Sequence, residues 1–373
     1  MTPHDPAHRG TATSGPGAID LGFETLSWVG GLDGHVTMLE QTLLPLEERQ
    51  LEVRTVPEMV DAIWRLAVRG APAIGVAAGF GMVLGVRDAQ GDVLEVARRT
   101  KETLDAARPT AVNLMWATAR VVAHLEGLAA GGADGPALKE ATLAEALAIY
   151  EGDRGTCAAM GRFGAELIPD GARLLTHCNA GALATAGIGT ALAPIYTANS
   201  DGKRVAVFAD ETRPLLQGAR ITAWELMRAG IDVTLLTDGM SARVMDEGKV
   251  DAVFVGSDRI TRNGDVCNKI GTFSVALAAK HFGVPFHVVA PLSTVDPSLR
   301  SGKDIPIEER PAEEITEGFG KRTAPPGAKV YAPAFDVTPA ALVTSIITEV
   351  GIIEAPTTEK MEDALRRGGV AID

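Results

Sequence analysis

The sequence predicts an α/β fold in which a mainly helical part precedes a parallel sheet. Apolar residues recur at helical spacing over most of the first 166 positions. Beyond Pro169, short apolar strands alternate with segments of helical length, the pattern of a parallel sheet that is covered on both faces. We therefore expect a disordered extension at 1–18, a mainly helical domain at 19–166 and a sheet domain at 167–373.

The first of these domains is expected to hold one small β element and five helices. The stretch GLDGHVTMLEQTLLP (31–45) has a Gly-containing turn followed by alternating residues, which is typical of a hairpin. Thr55 is a natural cap for the first helix. The helices are predicted at Val56–Leu66, 72–87, 92–106, 111–128 and 137–166.

The second domain is expected to hold five apolar strands, RLLTHCN, RVAVFAD, DVTLLTD, AVFVGSD and FHVVAP. Four of them end in polar residues, and in open parallel sheets ligands bind at the carboxyl ends of the strands. The pattern therefore points to one site. Further on, VYAPAFDVTPAALVTSIITE predicts an extended stretch and then a helix, with Thr338 as N-cap and Pro339 in the first helical position.

Charge and composition argue against several classes of protein. The net charge is −13, which disfavours nucleic acid or an anionic membrane as the main partner. The apolar, uncharged run Ala71–Val86 is too short and too rich in glycine to span a membrane. Three widely spaced cysteines predict neither a zinc site nor a disulfide framework. No signal-peptide pattern occurs at 1–17, so we expect a cytoplasmic protein.

Cys178 lies in LLTHCNAGALATAG (174–187), where a strand, a tight turn and a helix are predicted. A helix N-terminus at this point would stabilise a thiolate. Most free cysteines, however, are small apolar filler in a core. The residues alone leave both interpretations of Cys178 open.

The segment VFVGSDRITRNGDVCNKIGT (253–272) holds a second group of candidates. Asp258 follows a strand directly, where it would serve a site, cap a helix or pair with Arg259. Asn268 and Lys269 follow a Gly-containing turn and suit a phosphate or a sugar hydroxyl, although a lysine is more often a solvated surface charge. Gln217 follows the strand end Asp210-Glu211, whose carboxylates are also explained as loop anchors.

Two arginines lie beside segments that allow a close approach. Arg69 precedes Gly70 and Ala71 in VRGAPAIG, and Arg108 precedes a Pro-Thr turn in ARPTAVNL. Such an arginine suits a phosphate or a carboxylate, while the alternative is a cap on a helix C-terminus. No G-x-G-x-x-G stands in register with a strand end, so a dinucleotide is disfavoured. Phosphate-loop, Ser-His-Asp and H-E-x-x-H patterns are also absent from the sequence.

Taken together, six segments resemble the methylthioribose-1-phosphate isomerase family, which belongs to the superfamily of the translation initiation factor two B regulatory subunits. The segments are RGAPAIG, RPTAVNL, THCNAGALAT, DETRPLLQGARITAWEL, SDRITRNGDVCNKIGT and PAFDVTP. They extend from about Leu39 to about Ile353. The first and third favour the isomerase branch over the translation factors.

This resemblance implies a helical N-terminal domain with a small β element, a Rossmann-like C-terminal domain, a homodimer, and neither cofactor nor metal. By motif position, Cys178 and Asp258 match the two catalytic residues of the family. The positions that match its substrate contacts are Arg69, Gly70, Ala71, Arg108, Gln217, Asn268 and Lys269. Two residues depart from the motifs: Ser257, which could add a hydrogen bond beside Asp258, and Ala332.

The implied reaction converts 5-methylthioribose 1-phosphate to 5-methylthioribulose 1-phosphate in methionine salvage. Two alternatives stay open at this point. One is a sibling isomerase for 5-deoxyribose 1-phosphate or ribose 1,5-bisphosphate. The other is a non-enzymatic regulatory subunit that binds a nucleotide or a sugar phosphate, and such a protein would not need both Cys178 and Asp258.

Overall fold

The helices of the first half pack around one central, glycine-rich helix. The computed structural model describes residues 19–108, 111–318, 320–370 and 372, so the extension expected at 1–18 lies outside the described residues. Strands and helices of this half are β1 (Leu26–Val29), β2 (His35–Leu39), β3 (Gln50–Val53), α1 (Val56–Trp64), α2 (Ala71–Val86), α3 (Val93–Ala107), α4 (Val112–Ala130) and α5 (Gly135–Ala165).

Local signals in the sequence explain these elements. Thr55 caps α1 in a reciprocal pair of hydrogen bonds with Glu58, and Asp92 and Asp134 cap α3 and α5. Helix α2 is buried along almost its whole length and contacts α3, α4 and α5. Its glycines permit this packing, since a Cβ added at Gly85 would lie 2.3 Å from the Thr100 hydroxyl.

The second half forms a seven-stranded sheet with smaller additions. Its elements are β4 (Ala172–Thr176), α6 (Ala193–Ser200), β5 (Val205–Asp210), α7 (Ala223–Arg228), β6 (Asp232–Leu236), α8 (Ser241–Asp246), β7 (Ala252–Val255), β8 (Arg259–Thr261), β9 (Val266–Lys269), α9 (Thr272–Phe282), β10 (Phe286–Val289), β11 (Val295–Asp296), α10 (Glu313–Thr316), β12 (Glu317–Gly318), β13 (Lys321–Arg322), β14 (Phe335–Thr338), β15 (Ser345–Thr348), β16 (Gly351–Glu354) and α11 (Thr358–Arg367).

The strand order in the large sheet is β16-β15-β10-β7-β4-β5-β6. Neighbouring strands are parallel except for the last pair in sequence, β15 and β16. All five strands predicted from sequence are present, which confirms the predicted fold class. From β4 the chain runs outward through β5 and β6, and it then returns to place β7 on the other side of β4. Between β4 and β7 the direction of winding reverses, and ligands of open sheets bind at such points.

A smaller sheet extends this edge, in the order β11-β8-β9-β14. It begins immediately after β7, and β9 pairs with β14 in antiparallel register. Asn268 and Lys269 lie on β9 opposite Asp336 and Phe335. The segment from β7 to β9 therefore carries Asp258, Asn268 and Lys269 on one continuous support.

The helix predicted after Thr338 is wrong. A single 3₁₀ turn at Ala340–Leu342 follows Pro339, and the chain then enters strand β15. The cause is tertiary, because Ile346 and Ile347 are fully buried between β10 and β16. Two β-branched residues in this position gain more from sheet packing than from a helix.

The helix predicted directly after Cys178 is wrong as well. Strand β4 is followed by a loop and a 3₁₀ turn at Ala182–Ala184, and helix α6 starts only at Ala193. Among the helices of the described residues, none combines the length and the apolar character that a membrane crossing requires.

Candidate active site

Cys178 and Asp258 lie just beyond the carboxyl ends of the neighbouring strands β4 and β7. This is the point at which the sheet reverses its direction of winding. The charges of Arg69 and Lys269 act on both residues, and that of Arg108 acts on Asp258. The structure therefore brings five of the nine predicted site residues into one electrostatically coupled group.

The backbone of Cys178 is held in a left-handed conformation, with φ of 66°. Its N–H donates to the Thr212 hydroxyl at 2.7 Å, and its carbonyl accepts from the Thr222 hydroxyl at 2.6 Å. Thr212 is itself left-handed, and its N–H donates to Asp238 at 2.7 Å. Such a conformation costs about 1–3 kcal/mol in a non-glycine residue and persists only where its surroundings impose it. Two threonines impose it here.

The Cys178 side chain is a neutral thiol near pH 7. It is only 7% exposed, and burial raises its pKa above the ordinary value of 9.0 although the charges of Arg69 and Lys269 oppose the rise. No helix begins at this residue. The expectation that a helix N-terminus stabilises a thiolate is therefore wrong.

The Asp258 side chain lies at the surface of the described protein. Water reaches the side chain, yet the protein surrounds it closely enough that desolvation raises its pKa, while Lys269, Arg108 and Arg69 act in the opposite direction. Its N–H donates to the Cys267 carbonyl at 2.9 Å. The alternative partner considered for it, Arg259, lies instead 3.7 Å from Asp296.

Ser257 does not bond to the neighbouring carboxyl. Its hydroxyl lies 3.0 Å from the Arg259 carbonyl and 3.1 Å from the Cys267 carbonyl. The residue therefore fastens the turn between β7 and β9 through main-chain atoms. The hydrogen bond to Asp258 that its position suggested is not formed.

Arg69 does not cap a helix. Its guanidinium donates to the side-chain oxygen of Asn179 at 3.0 Å, which links the N-terminal half to the turn after Cys178. Gly70 has φ of 91°, and a Cβ added there would lie 2.6 Å from Ala184 of the same turn. Ala71 then begins α2. Only glycine allows the two halves to approach this closely.

Arg108 follows the last residue of α3 and is largely enclosed by protein. Burial lowers its pKa from the ordinary value of 12.5, and the negative charges of Asp258 and Glu308 partly compensate. An arginine keeps its charge under these conditions. Arg108 therefore brings a positive charge into the group around Asp258.

Lys269 and Asn268 are fixed by neighbours on the small sheet. The Lys269 ammonium donates to the Ala334 carbonyl at 3.0 Å and lies 4.3 Å from the centre of the Phe335 ring. Asn268 donates to the Thr272 hydroxyl at 3.0 Å. Lys269 is thus not a freely solvated surface charge.

Gln217 belongs to the loop after β5, which also supplies Thr212. Its side-chain oxygen is buried and lacks a hydrogen-bond partner among the described residues. Since a buried polar atom without a partner costs free energy, this oxygen is available to a ligand. No described contact joins Gln217 directly to Cys178 or Asp258, and the loop alone brings it to the same edge of the sheet.

A buried ion pair supports the turn from behind. Nδ1 of His177 lies 3.0 Å from Asp210, and Nε2 lies 2.9 Å from the Ile270 carbonyl. Burial alone would lower the pKa of His177, but the hydrogen bond and charge of Asp210 raise it. An imidazolium can donate from both nitrogens, so we assign His177 as charged. Asp210 is accordingly ionised, and it serves as the loop anchor that the sequence suggested.

His177, Asp210 and Asp238 also lie close enough together to resemble a metal site. Hydrogen bonds already use their ligand atoms, however. Asp210 accepts from the Ser241 hydroxyl at 2.6 Å, and Asp238 accepts from the N–H groups that follow Glu211, at 2.7 Å each. The network is complete without an ion.

Three residues of the site escaped the sequence interpretation. Thr212 and Thr222 hold Cys178, and Glu225 accepts a hydrogen bond from Asn179. Threonines in loops carry no distinctive sequence signal. Glu225 does carry such a signal, because it is the only acid in the segment TAWEL, whose other residues are expected to be buried.

Comparison with known proteins identifies the family of this chain. The family model for the initiation factor 2 subunit family matches residues 67–355. The chain belongs to this family. Its matched region covers every residue of the candidate site described above, from Arg69 to Lys269. The recognition made from the six sequence segments is confirmed.

Members of the initiation factor 2 subunit family that are similar to this chain include sugar-phosphate isomerases. A 5-deoxyribose 1-phosphate isomerase of Moorella thermoacetica is 54% identical over 92% of this chain and 98% of its own length. A methylthioribose-1-phosphate isomerase of Heliobacterium modesticaldum is 53% identical over 91% and 98%. The crystal structure of 5-methylthioribose 1-phosphate isomerase from Pyrococcus horikoshii OT3 superposes with a TM-score of 0.87, at 42% identity over 92% and 96%.

Proposed function

We propose that this protein is an aldose-ketose isomerase that converts 5-methylthioribose 1-phosphate to 5-methylthioribulose 1-phosphate. The observation that carries the proposal is the pairing of a neutral thiol, Cys178, with the carboxyl of Asp258 among the cations Arg69, Arg108 and Lys269. Two proton-handling groups beside a cluster of positive charge suit the isomerisation of a phosphorylated sugar. The names of the relatives from Heliobacterium and Pyrococcus support the same substrate.

The chemistry of the substrate explains why two such groups are needed. Phosphate occupies the anomeric oxygen, so the ring cannot open through a free anomeric hydroxyl. An acid must instead protonate the ring oxygen as the bond from C1 to that oxygen breaks. Asp258 is our candidate for this acid, because its raised pKa means that it holds a proton more readily than an ordinary carboxyl does.

The second group has to handle the hydrogen that moves between carbons. Loss of the C2 proton would give an enol phosphate, and return of a proton to C1 with loss of the C2 hydroxyl proton would give the ketose. The ring oxygen keeps the proton that it received from the acid, so the atoms balance. Cys178, held rigidly by two threonines, is our candidate for this group or for stabilising the intermediate. A direct hydride shift from C2 to C1 is the alternative that the experiment below separates.

The phosphate would be held by the cations and by main-chain N–H groups. We assign this role to Arg69, Arg108 and Lys269, together with the N–H groups at Gly70 and Ala71 where the 16-residue helix α2 begins. Asn268 and the unpartnered oxygen of Gln217 are assigned to sugar hydroxyls. Arg69, Lys269 and Asn268 are held by hydrogen bonds within the protein, which limits the reorganisation needed on binding.

A cavity beside Lys269 bears on the substituent at C5. It measures about 260 Å³ and is lined in large part by apolar residues that include Leu215, Ile315 and Tyr331. Its two arginines are already engaged, Arg310 with two glutamates and Arg213 with main-chain carbonyls. The third cation of its lining, Lys269, is the one that we assign to the 1-phosphate. A largely apolar wall with no further cation to spare favours a methylthio group over a second phosphate, so ribose 1,5-bisphosphate is the weaker sibling candidate.

The 5-deoxyribose 1-phosphate activity is a second candidate function. It is favoured by the relative from Moorella thermoacetica, whose identity to this chain is 54%. The two sugars differ only at C5, where one carries a methylthio group and the other carries hydrogen. The same residues would therefore serve both reactions.

The test is to incubate the purified protein with each of the three sugar phosphates in deuterated water and to follow ketose formation by proton NMR. Deuterium in the new C1 methylene would indicate proton transfer through a group that exchanges with solvent. A direct hydride shift would leave the C1 methylene free of deuterium. Cys178→Ser and Asp258→Asn should each lower turnover by about 10³-fold or more, while Cys157→Ser, which alters a buried cysteine of α5, should not. Near-normal turnover in either site variant would refute the assigned roles.

If no sugar phosphate reacts, the regulatory binding subunit becomes the better hypothesis. The homodimer implied by the resemblance and the cytoplasmic location expected from the sequence stay predictions. Gel filtration with light scattering and cell fractionation would test them.

A further inference from the structure

Glu225 is a carboxylate buried directly behind the candidate site. It belongs to α7 and is 0% exposed. One of its oxygens accepts from the Ala182 N–H at 2.7 Å and from the Tyr196 hydroxyl at 3.1 Å, and the other accepts from the side-chain amide of Asn179. A Cβ added at Gly181 would lie 2.2 Å from this carboxylate. Glycine at 181 is thus what makes room for it.

Asn179 connects Glu225 to Arg69. Its Nδ2 faces Glu225 and also donates to the Thr222 hydroxyl at 3.1 Å, while its Oδ1 accepts from Arg69 at 3.0 Å. An amide side chain has one accepting and one donating end. Above about pH 7 the Glu225 carboxyl is largely ionised, and an ionised carboxylate can only accept. At such a pH, Glu225 therefore determines which end of Asn179 faces Arg69.

We propose that Glu225 is a positioning residue of the sugar-phosphate site, which fixes the amide of Asn179 so that its oxygen holds the Arg69 guanidinium towards the substrate. The inference rests on the proposed function, since it takes Arg69 as a ligand for the phosphate. It adds to that function a residue that touches neither the substrate nor the reacting groups.

The substitution Glu225→Gln tests the orientation with minimal change of shape. The Ala182 N–H and the Tyr196 hydroxyl would retain the oxygen of the new amide, so its NH₂ group would face Asn179. Two donors would then oppose each other, and Asn179 would rotate to accept from Gln at 225. Its NH₂ group would in turn face Arg69, which can only donate, and the hydrogen bond to Arg69 would be lost.

The expected kinetic result is a fall of about 10- to 100-fold in kcat/KM, the range for a hydrogen bond to a charged group, and the fall should lie mainly in KM. Tyr196→Phe is the matched control, because it removes a donor from Glu225 without altering the face turned to Asn179. It should change kcat/KM by less than about threefold. Circular dichroism and thermal melting would confirm that each variant is folded.

A second substitution provides a rescue. Asn179→Asp leaves an acceptor for Arg69 but sets a second carboxylate against Glu225, so it should also raise KM. The double variant N179D/E225Q pairs the new acid with the new amide and again offers Arg69 an acceptor. We expect it to recover at least about tenfold in kcat/KM over the weaker single variant. A loss of packing alone would give no such recovery.

Two results would overturn the proposal: wild-type kinetics in Glu225→Gln, or a folded double variant that is no better than either single variant. If Glu225→Gln does not fold, the kcat/KM values of Asn179→Asp and of the double variant still test the proposal. Failure of the proposed function looks different, because the wild-type protein would then convert none of the three sugar phosphates. Displacement of Arg69 would in that case still be measurable as weaker binding of inorganic phosphate by calorimetry.

Discussion

The buried carboxyl of Glu225 should make the stability of the protein depend on pH in a defined window. Burial raises its pKa from 4.5 to about 7, although Asn179, Tyr196 and two main-chain N–H groups lower it in part. The folded protein therefore binds this proton over a range in which the unfolded chain has released it. The free energy of unfolding contributed by Glu225 is highest below about pH 4.5 and is lost as the pH rises through about 7.

The magnitude follows from the two pKa values. A difference from 4.5 to about 7 corresponds to about 3 kcal/mol, at about 1.4 kcal/mol for each pH unit. Between about pH 5.5 and about pH 8, roughly 2 kcal/mol of this should be lost, because the unfolded chain is already largely ionised at the lower pH. Measurements closer to the isoelectric point of about 5.1 would risk precipitation.

The assay is guanidinium unfolding of the wild-type protein and of Glu225→Gln at several pH values across this window, followed by circular dichroism. The glutamine cannot titrate, so the difference in unfolding free energy between the two proteins isolates Glu225. Asp153 and His287, whose pKa values are also displaced by burial, contribute equally to both proteins. Parallel pH profiles for the two proteins would refute the reasoning.

Two further predictions concern the support of Cys178. A Cβ at Gly218 would lie 1.6 Å from the Asp210 carbonyl, whereas nothing lies within 4 Å of a Cβ at Gly239. Gly218→Ala should therefore lose about 2 kcal/mol or more and Gly239→Ala almost nothing, as thermal melting would show; equal melting temperatures would contradict this. Asp210→Asn removes the carboxylate from buried His177 and should cost about 3–5 kcal/mol, against about 1 kcal/mol for Ser241→Ala. A cost for Asp210→Asn no larger than that of Ser241→Ala would show that His177 is neutral.

The sequence predicts the strands of the large sheet well because each is a short apolar run with a polar end. RLLTHCN and AVFVGSD became β4 and β7, and their polar ends, Cys178 and Asp258, lie at the reversal point of the sheet. Helix caps such as Thr55 were equally readable, since capping depends on neighbours only a few residues away.

The errors arose where distant contacts outweigh local preference. The segment around Ile346 has residues that suit a helix after Pro339, but its pairing with β10 and β16 makes it a strand. The turn after Cys178 has the small residues of a helix start, yet hydrogen bonds from Thr212 and Thr222 fix a left-handed backbone instead. A local sequence pattern cannot predict hydrogen-bond partners that lie more than 30 positions away in the chain.

The placement of β4 between β5 and β7 has a consequence for the order in which the molecule is made. Leu174 pairs with Val207 on one side and with Ala252 on the other. A growing chain therefore holds the Cys178 thiol for some 70 residues before β7 exists to close the second wall of its pocket. The first-half helices, by contrast, find most of their partners nearby in the chain. Because distant contacts carry the larger closing entropy, we expect the second wall of the pocket to form after these helices. During synthesis the thiol is therefore most accessible before β7 has been made.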